Sequence, residues 1–178
     1  MDGLDRTALM RLLRHRTVII TLSCLVVGPA AVAGTAAASD ARDPWATVNV
    51  CDTSGSPDTI GIRASMPGSR SGKEKRYMRF IVQYFSRPDH RWYNVAAGGD
   101  SGYLSIGTGR RARQFGRSFR IEPPAGRSVL LRGRVFFQWR VKGEVVRRDS
   151  ALTRKGHRSN TGDDPEGYSA STCTIASS

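Results

Sequence analysis

Between Ser128 and Val141 apolar side chains recur at every second position, and this stretch constrains the fold more than any other in the chain. Val129, Leu131, Val135, Phe137, Trp139 and Val141 fall on one side with Gly133 among them, while Arg132, Arg134, Gln138 and Arg140 fall on the other. A period of two is that of a half-buried β-strand, and a one-residue slip would carry the arginines into the core, so the pattern sets the register as well as the element. A strand of this kind needs partner strands for its backbone and a second layer for its apolar side. Lys142-Gly143 then marks a turn into a partner strand at 144–148, giving an antiparallel hairpin.

The same period governs the rest of the chain after residue 44. Segments 45–51, 59–65, 77–85, 91–95, 103–106, 113–121 and 168–175 join 128–141 and 144–148 as predicted strands. Met78, Phe80, Val82 and Tyr84 form a second inward row, and Phe115, Phe119 and Ile121 a third that Arg117 interrupts. Pro67-Gly68-Ser69, Arg87-Pro88-Asp89, Gly98-Gly99-Asp100 and Pro123-Pro124-Ala125-Gly126 separate them as turns. Short strands without a helical run long enough for a crossover predict an antiparallel β-sandwich instead of a parallel sheet.

The start of the chain reads as an export segment. Arg6, Arg11, Arg14 and Arg16 precede an apolar run at 18–27, Gly28-Pro29 breaks it, and small residues follow to Ala38. This is the layout of a secretory signal peptide, with a run too short for a spanning helix, which needs about 20 residues. Two small-x-small sites compete, Ala31-Val32-Ala33 before Gly34 and Ala36-Ala37-Ala38 before Ser39; with the second, the expected organisation is a signal peptide at 1–38, a short linker at 39–44 and a single β-sandwich domain at 45–176. Cys24 goes with the signal. Cys51 and Cys173 are then the only cysteines of an exported chain, and a disulfide between them is expected.

Leu131-Arg132-Gly133 through Trp139-Arg140, Gly143-Glu144-Val145-Val146 to Thr153, and Gly167-Tyr168-Ser169 leading to Cys173 resemble uncharacterised secreted actinobacterial proteins with an immunoglobulin-like sandwich. The resemblance covers about the second half of the chain. It implies an all-β, antiparallel immunoglobulin-like β-sandwich of about 7–9 strands and an address outside the cell, and it brings no active site. Antibody-type domains join two central strands by their disulfide. Here the cysteines belong to the first and last strands.

Motifs with chemical potential need partners before they count. Gly99-Asp100-Ser101-Gly102 matches the segment around the nucleophile of trypsin-like serine proteases, whose serine requires a histidine base and a buried aspartate. His90 and His157 stand in no matching context, and the 140 residues after position 38 are too few for two barrels. A glycine-rich turn is the simpler reading. Gly107-Thr108-Gly109-Arg110-Arg111-Ala112 fits a loose dinucleotide fingerprint, but a strand pattern follows where a helix N-terminus is required. Asn160, Asp163, Asp164 and Glu166 offer oxygen ligands without the spacing of a calcium loop, and Asp163-Asp164-Pro165-Glu166-Gly167 is also a turn sequence. Two histidines without pattern give no zinc site. No metal and no cofactor are expected.

Charge is the remaining signal. Beyond residue 38 the chain holds 24 basic and 13 acidic residues, a net charge of +11, and 20 of the basic residues are arginine. Arginine suits bidentate contact with phosphate or carboxylate. Arg132, Arg134 and Arg140 share the outward side of one strand, and simple pairing through the Lys142-Gly143 turn puts Arg147 beside Gln138 on the next. These four residues are the candidate polyanion-binding set; the alternative reading is that the arginine content is compositional and the charged strand face simply a solvated one. Trp92 and Tyr93 are candidates for stacking on sugars or bases, although strand aromatics more often serve a core. The expected function is that of a secreted, non-catalytic domain binding an anionic cell-envelope polymer or extracellular nucleic acid. The competing reading is a small secreted hydrolase using Asp100, Ser101 and His157, or a carboxylate pair in the 163–166 loop.

Overall fold

The structure, a computed structural model, describes residues 43–157 and 159–177. The expected signal peptide at 1–38 and Cys24 lie outside the described residues, as does most of the expected linker at 39–44. Among the described residues there are nine strands and no helix: β1 Trp45–Thr53, β2 Ser56–Met66, β3 Lys75–Ser86, β4 Arg91–Asn94, β5 Leu104–Gly107, β6 Arg113–Arg120, β7 Ser128–Val141, β8 Glu144–Leu152 and β9 Cys173–Ala176. All pairings between strands are antiparallel. The smaller sheet runs β1-β2-β6. The larger runs β4-β3-β7-β8, with β5 also on β3 and β9 also on β7.

The core lies between the two sheets. Ala46 and Val48 of β1, Ile60, Ile62, Ala64 and Met66 of β2, and Phe119 of β6 face Met78, Phe80, Val82, Leu131, Val135, Phe137, Trp139 and Ile175 of the larger sheet. The inward row expected for β7 is this row as far as Trp139, while Val141, past the cover of the smaller sheet, is exposed. Tyr84 likewise follows the inward parity of β3 but lies partly exposed, stacked on Tyr93. At Gly133 the two sheets approach closely: a Cβ there would stand 2.6 Å from Ile62 Cδ1. The β7–β8 turn uses left-handed backbone at both Lys142 and Gly143, the combination whose twist matches that of the flanking strands.

Two segments depart from the sequence-based expectation. β8 continues to Leu152, four residues beyond the expected end. Residues 168–172 do not form a strand, because the edge of β1 that they approach is shared among three segments, each pairing once: Thr153 with Ala46, Ala170 with Val48 and Asp164 with Val50. Side chains reinforce this cover, with Asn49 Nδ2 donating to the Gly162 carbonyl and Thr47 Oγ1 2.7 Å from Ser169 Oγ. The edge of β1 is thereby closed to another chain.

Cys51 and Cys173 form a disulfide with their Cα atoms 5.4 Å apart. Since β1 and β9 belong to different sheets, the bridge ties the two layers together. A second device at the opposite end of the core has no signal in the hydrophobic pattern. Arg76 continues the inward row of β3 and is 2% exposed. Its guanidinium donates to the carbonyls of Arg111 (2.9 Å), Thr108 (3.0 Å) and Met66 (3.4 Å). Burial, with Arg113 nearby, pushes its pKa down. One cation thus holds the 108–111 loop against the end of β2.

Candidate anion-binding face

The outer side of the larger sheet is built from residues that pair directly across strands. Tyr77 stands opposite Gln138, Arg79 opposite Phe136, Ile81 opposite Arg134 and Gln83 opposite Arg132. Arg148, Ser150 and Leu152 of β8 extend the rows through Gln138, Phe136 and Arg134. Arg132, Arg134 and Arg140 therefore do share one face. Arg132 and Arg134 are separated by about 7 Å along the strand, and Arg140 lies about 20 Å beyond Arg134.

Arg147 does not join them. A bulge between Trp139 and Arg140 sets Val145 against Arg140 and Arg147 against Trp139, so Arg148, not Arg147, stands beside Gln138. The Arg147 guanidinium lies 3.4 Å above the Trp139 ring and caps the end of the core. The extra residue, Val146, is more than half exposed.

The remaining arginines are held flat instead of waving in solvent. Arg132 stacks 4.2 Å above Trp92 and donates from Nε to Gln83 Oε1 at 2.9 Å; Gln83 in turn donates to Asn94 Oδ1 at 2.9 Å. Arg140 stacks 4.2 Å above Tyr77 and 5.3 Å from Tyr103, and donates twice to Gln138 Oε1, at 3.0 and 2.6 Å. Gln83 and Gln138 are buried beneath these guanidiniums. Arg134 stacks on Phe136 at 4.8 Å. Burial first, and then the neighbouring Arg134, push the Arg132 pKa down. A guanidinium stacked on a ring keeps N–H groups at its edge for an anion, at little further cost in side-chain entropy. Trp92 serves here as a platform for Arg132, and Tyr93 as the partner of Tyr84.

The proposed hydrolytic set is not brought together. Asp100 pairs with Arg79 through both carboxylate oxygens, at 2.9 Å to Oδ1 and 3.1 Å to Oδ2 from Nε, with Nη2 also on Oδ2. Those bonds, helped by the Gly102 N–H and opposed by partial burial, hold its pKa below the usual range. Ser101 Oγ accepts from the Phe80 amide and donates to the Gly102 carbonyl. His157 instead stacks on Trp45, with centroids 4.3 Å apart. Asp100, Ile81, Arg134 and Leu152 form one row across the larger sheet. Asp100 thus stands three strand spacings, about 14 Å, from Leu152, beside which His157 sits.

The 163–166 loop is likewise committed to local bonds. Asp163 accepts from the Gly167 amide, and Asp164 accepts from Thr53 Oγ1. Asn160 donates to the carbonyls of His157 and Tyr168. Among the described residues no three of His, Cys, Asp and Glu gather as metal ligands. The glycine-rich 107–112 segment leads directly into β6 and supplies carbonyls to Arg76.

The sequence matches no known family model and no curated protein. Any function must be argued from the arrangement itself.

Proposed function

We propose that the chain is a secreted, non-catalytic domain of immunoglobulin-like type, which binds an anionic cell-envelope polymer along the outer face of its larger sheet. One observation carries this reading: Arg132 and Arg140 are each fixed by an aromatic ring and a buried glutamine, with Arg134 between them on the same side. An ordinary solvated strand face leaves its cations mobile, whereas this one spends aromatic surface and buried amides on placing them. The roughly 7 Å between Arg132 and Arg134 suits neighbouring charges of an extended polyanion, and Arg140, about 20 Å further on, would meet the same chain several charges later. The aromatic rings nearest the arginines hold guanidiniums, which favours a polymer recognised by charge over nucleic acid, whose bases look for aromatic stacking platforms. The disulfide fits an oxidising compartment, and among the described residues no helix is long and apolar enough to cross a membrane.

The test is a titration with an anionic phosphodiester polymer and, separately, single-stranded nucleic acid at low and physiological salt. Three phosphate contacts predict a fall in affinity of roughly 20- to 40-fold between 50 and 200 mM salt. The variant with Arg132, Arg134 and Arg140 changed to Gln should bind more weakly and lose most of that salt dependence. Equal binding by variant and parent at both concentrations overturns this face as the site, and a clear preference for nucleic acid overturns the envelope polymer as the partner.

A further inference from the structure

At its Arg132–Arg134 end the face runs into a cavity of about 530 Å3 bounded by Trp45, Arg132, Arg134, Leu152, Arg154 and His157. Its walls are held largely by backbone bonds. The Arg154 amide donates to the Ala46 carbonyl at 2.9 Å, while the preceding Thr153 amide donates to Gly133 at 3.0 Å, so this segment is tied to both sheets. The His157 amide donates to Ser169 Oγ at 2.9 Å, and its ring lies nearly parallel to Trp45, at 5°. Arg132 is set by Gln83 and Trp92.

Arg134 of β7 and Arg154 beyond β8 thus line one concavity from two elements, while Arg132 contributes to its wall with its guanidinium turned over Trp92 of β4. Among the described residues no carboxylate lines it, and neither Arg134 nor Arg154 makes an ion pair with another described residue. The cost of this convergence is visible at His157, whose pKa is pushed down by burial and by Arg154. What balances such a field is an anion. A carboxylate is planar and is satisfied by a single guanidinium fork, whereas a tetrahedral phosphate presents three free oxygens and up to two charges to cations arriving from different directions. The volume is that of a small-molecule site and admits a phosphate with a short polyol or sugar attached.

We propose that this cavity binds a phosphate monoester group through Arg134 and Arg154, and that it anchors the polymer at this end of the face by a terminal phosphate; the anchoring role rests on the reading above, the phosphate site does not.

The full chain is titrated with inorganic phosphate and with glycerol 3-phosphate, with acetate and chloride at matched ionic strength as controls. The ring protons of its histidines are followed by NMR, and His157→Asn assigns the signal. Phosphate should shift the His157 signal saturably and raise its pKa, leaving His90 unmoved. Arg154→Gln and, independently, Arg134→Gln should each weaken phosphate binding about tenfold or more, the scale of a charge-assisted pair, while Arg117→Gln on the smaller sheet changes nothing. Acetate binding as tightly as phosphate overturns the phosphate assignment. A response that does not saturate, or that survives both substitutions, overturns the site. Polymer binding that persists without phosphate binding removes the cavity and leaves the face standing. Phosphate binding without polymer binding keeps the cavity and overturns its anchoring role.

Discussion

Reducing the bridge between Cys51 and Cys173 should cost this domain a large part of its stability, and the size of the loss follows from how far apart the cysteines lie in the chain. They are 122 residues apart, so the bridge closes nearly the whole domain into one loop. The chain-entropy relation for a loop of that length gives about 5 kcal/mol of stabilisation, acting through the unfolded state. A domain of this size has about 5 to 15 kcal/mol in total, so the reduced protein would keep a fraction of it. Trp45, Trp92 and Trp139 report unfolding by fluorescence in urea. With a slope of about 2 kcal/mol per molar, the midpoint of the reduced protein should fall by about 2 to 3 M, and the slope should rise because the unlinked chain exposes more surface. Cys51→Ala with Cys173→Ala should fall slightly further, since Cys173 is buried and its sulfur also fills space. Oxidised and reduced proteins that unfold within about 1 kcal/mol of each other would refute the reasoning. That result would mean that the unfolded chain keeps its ends together without the bridge. Hydrogen exchange gives a second view: the reduced protein should lose protection first in β9, a four-residue strand whose other support is its pairing with β7.

Three further outcomes are expected. Arg76→Met strips the donors from the Met66, Thr108 and Arg111 carbonyls and should cost about 2 to 4 kcal/mol in urea unfolding, with faster exchange in the 108–111 loop; a neutral result would show that the loop holds itself. Gly133→Ala forces a methyl against Ile62 and Thr153 and should cost about 1 to 3 kcal/mol, measured the same way. Since burial and Arg154 depress the folded-state pKa of His157, the unfolded chain binds more protons as pH falls below 6.5, so stability should decline on acidification through that range, and His157→Asn should flatten the decline.

What could be read from the sequence was the part governed by alternation. β7 begins and ends where its pattern does, and every other expected strand has a counterpart, because a strand with one buried side must repeat with period two. The misplacement of Arg147 has an equally local cause. Glu144-Val145-Val146-Arg147-Arg148 contains two adjacent doublets, so a slip of one residue exchanges valine for valine and arginine for arginine. Neither register is penalised by the pattern, and the bulge at Val146 decides between them in three dimensions. Arg76 is illegible in the pattern for the opposite reason. A charged residue at an inward position looks like the end of the row, and the three carbonyls that accept its protons come from residues 66, 108 and 111. The cavity was half legible: Arg132 and Arg134 belong to the predicted set, but Arg154 and His157 reach it through backbone bonds to Ala46 and Ser169 that no periodicity announces.

The arginines of this domain divide by what they rest on, and that division bears on function. Arg147 lies on Trp139 at the rim of the core, and Arg76 is wholly enclosed; each seals one place where the sandwich would otherwise open. Removing either should change stability. Arg134 rests on Phe136, and Arg154 is anchored only by its backbone, so their charges cover no core residue. Losing them should leave stability nearly unchanged and remove repulsion within the cavity. Arg132 and Arg140 do both kinds of work, because each covers a buried glutamine while presenting charge. Burial and then the neighbouring Arg134 push the Arg132 pKa down, and a bound anion would relieve that repulsion. Repulsion maintained in a concave, partly desolvated place is the expected mark of a site that an anion completes.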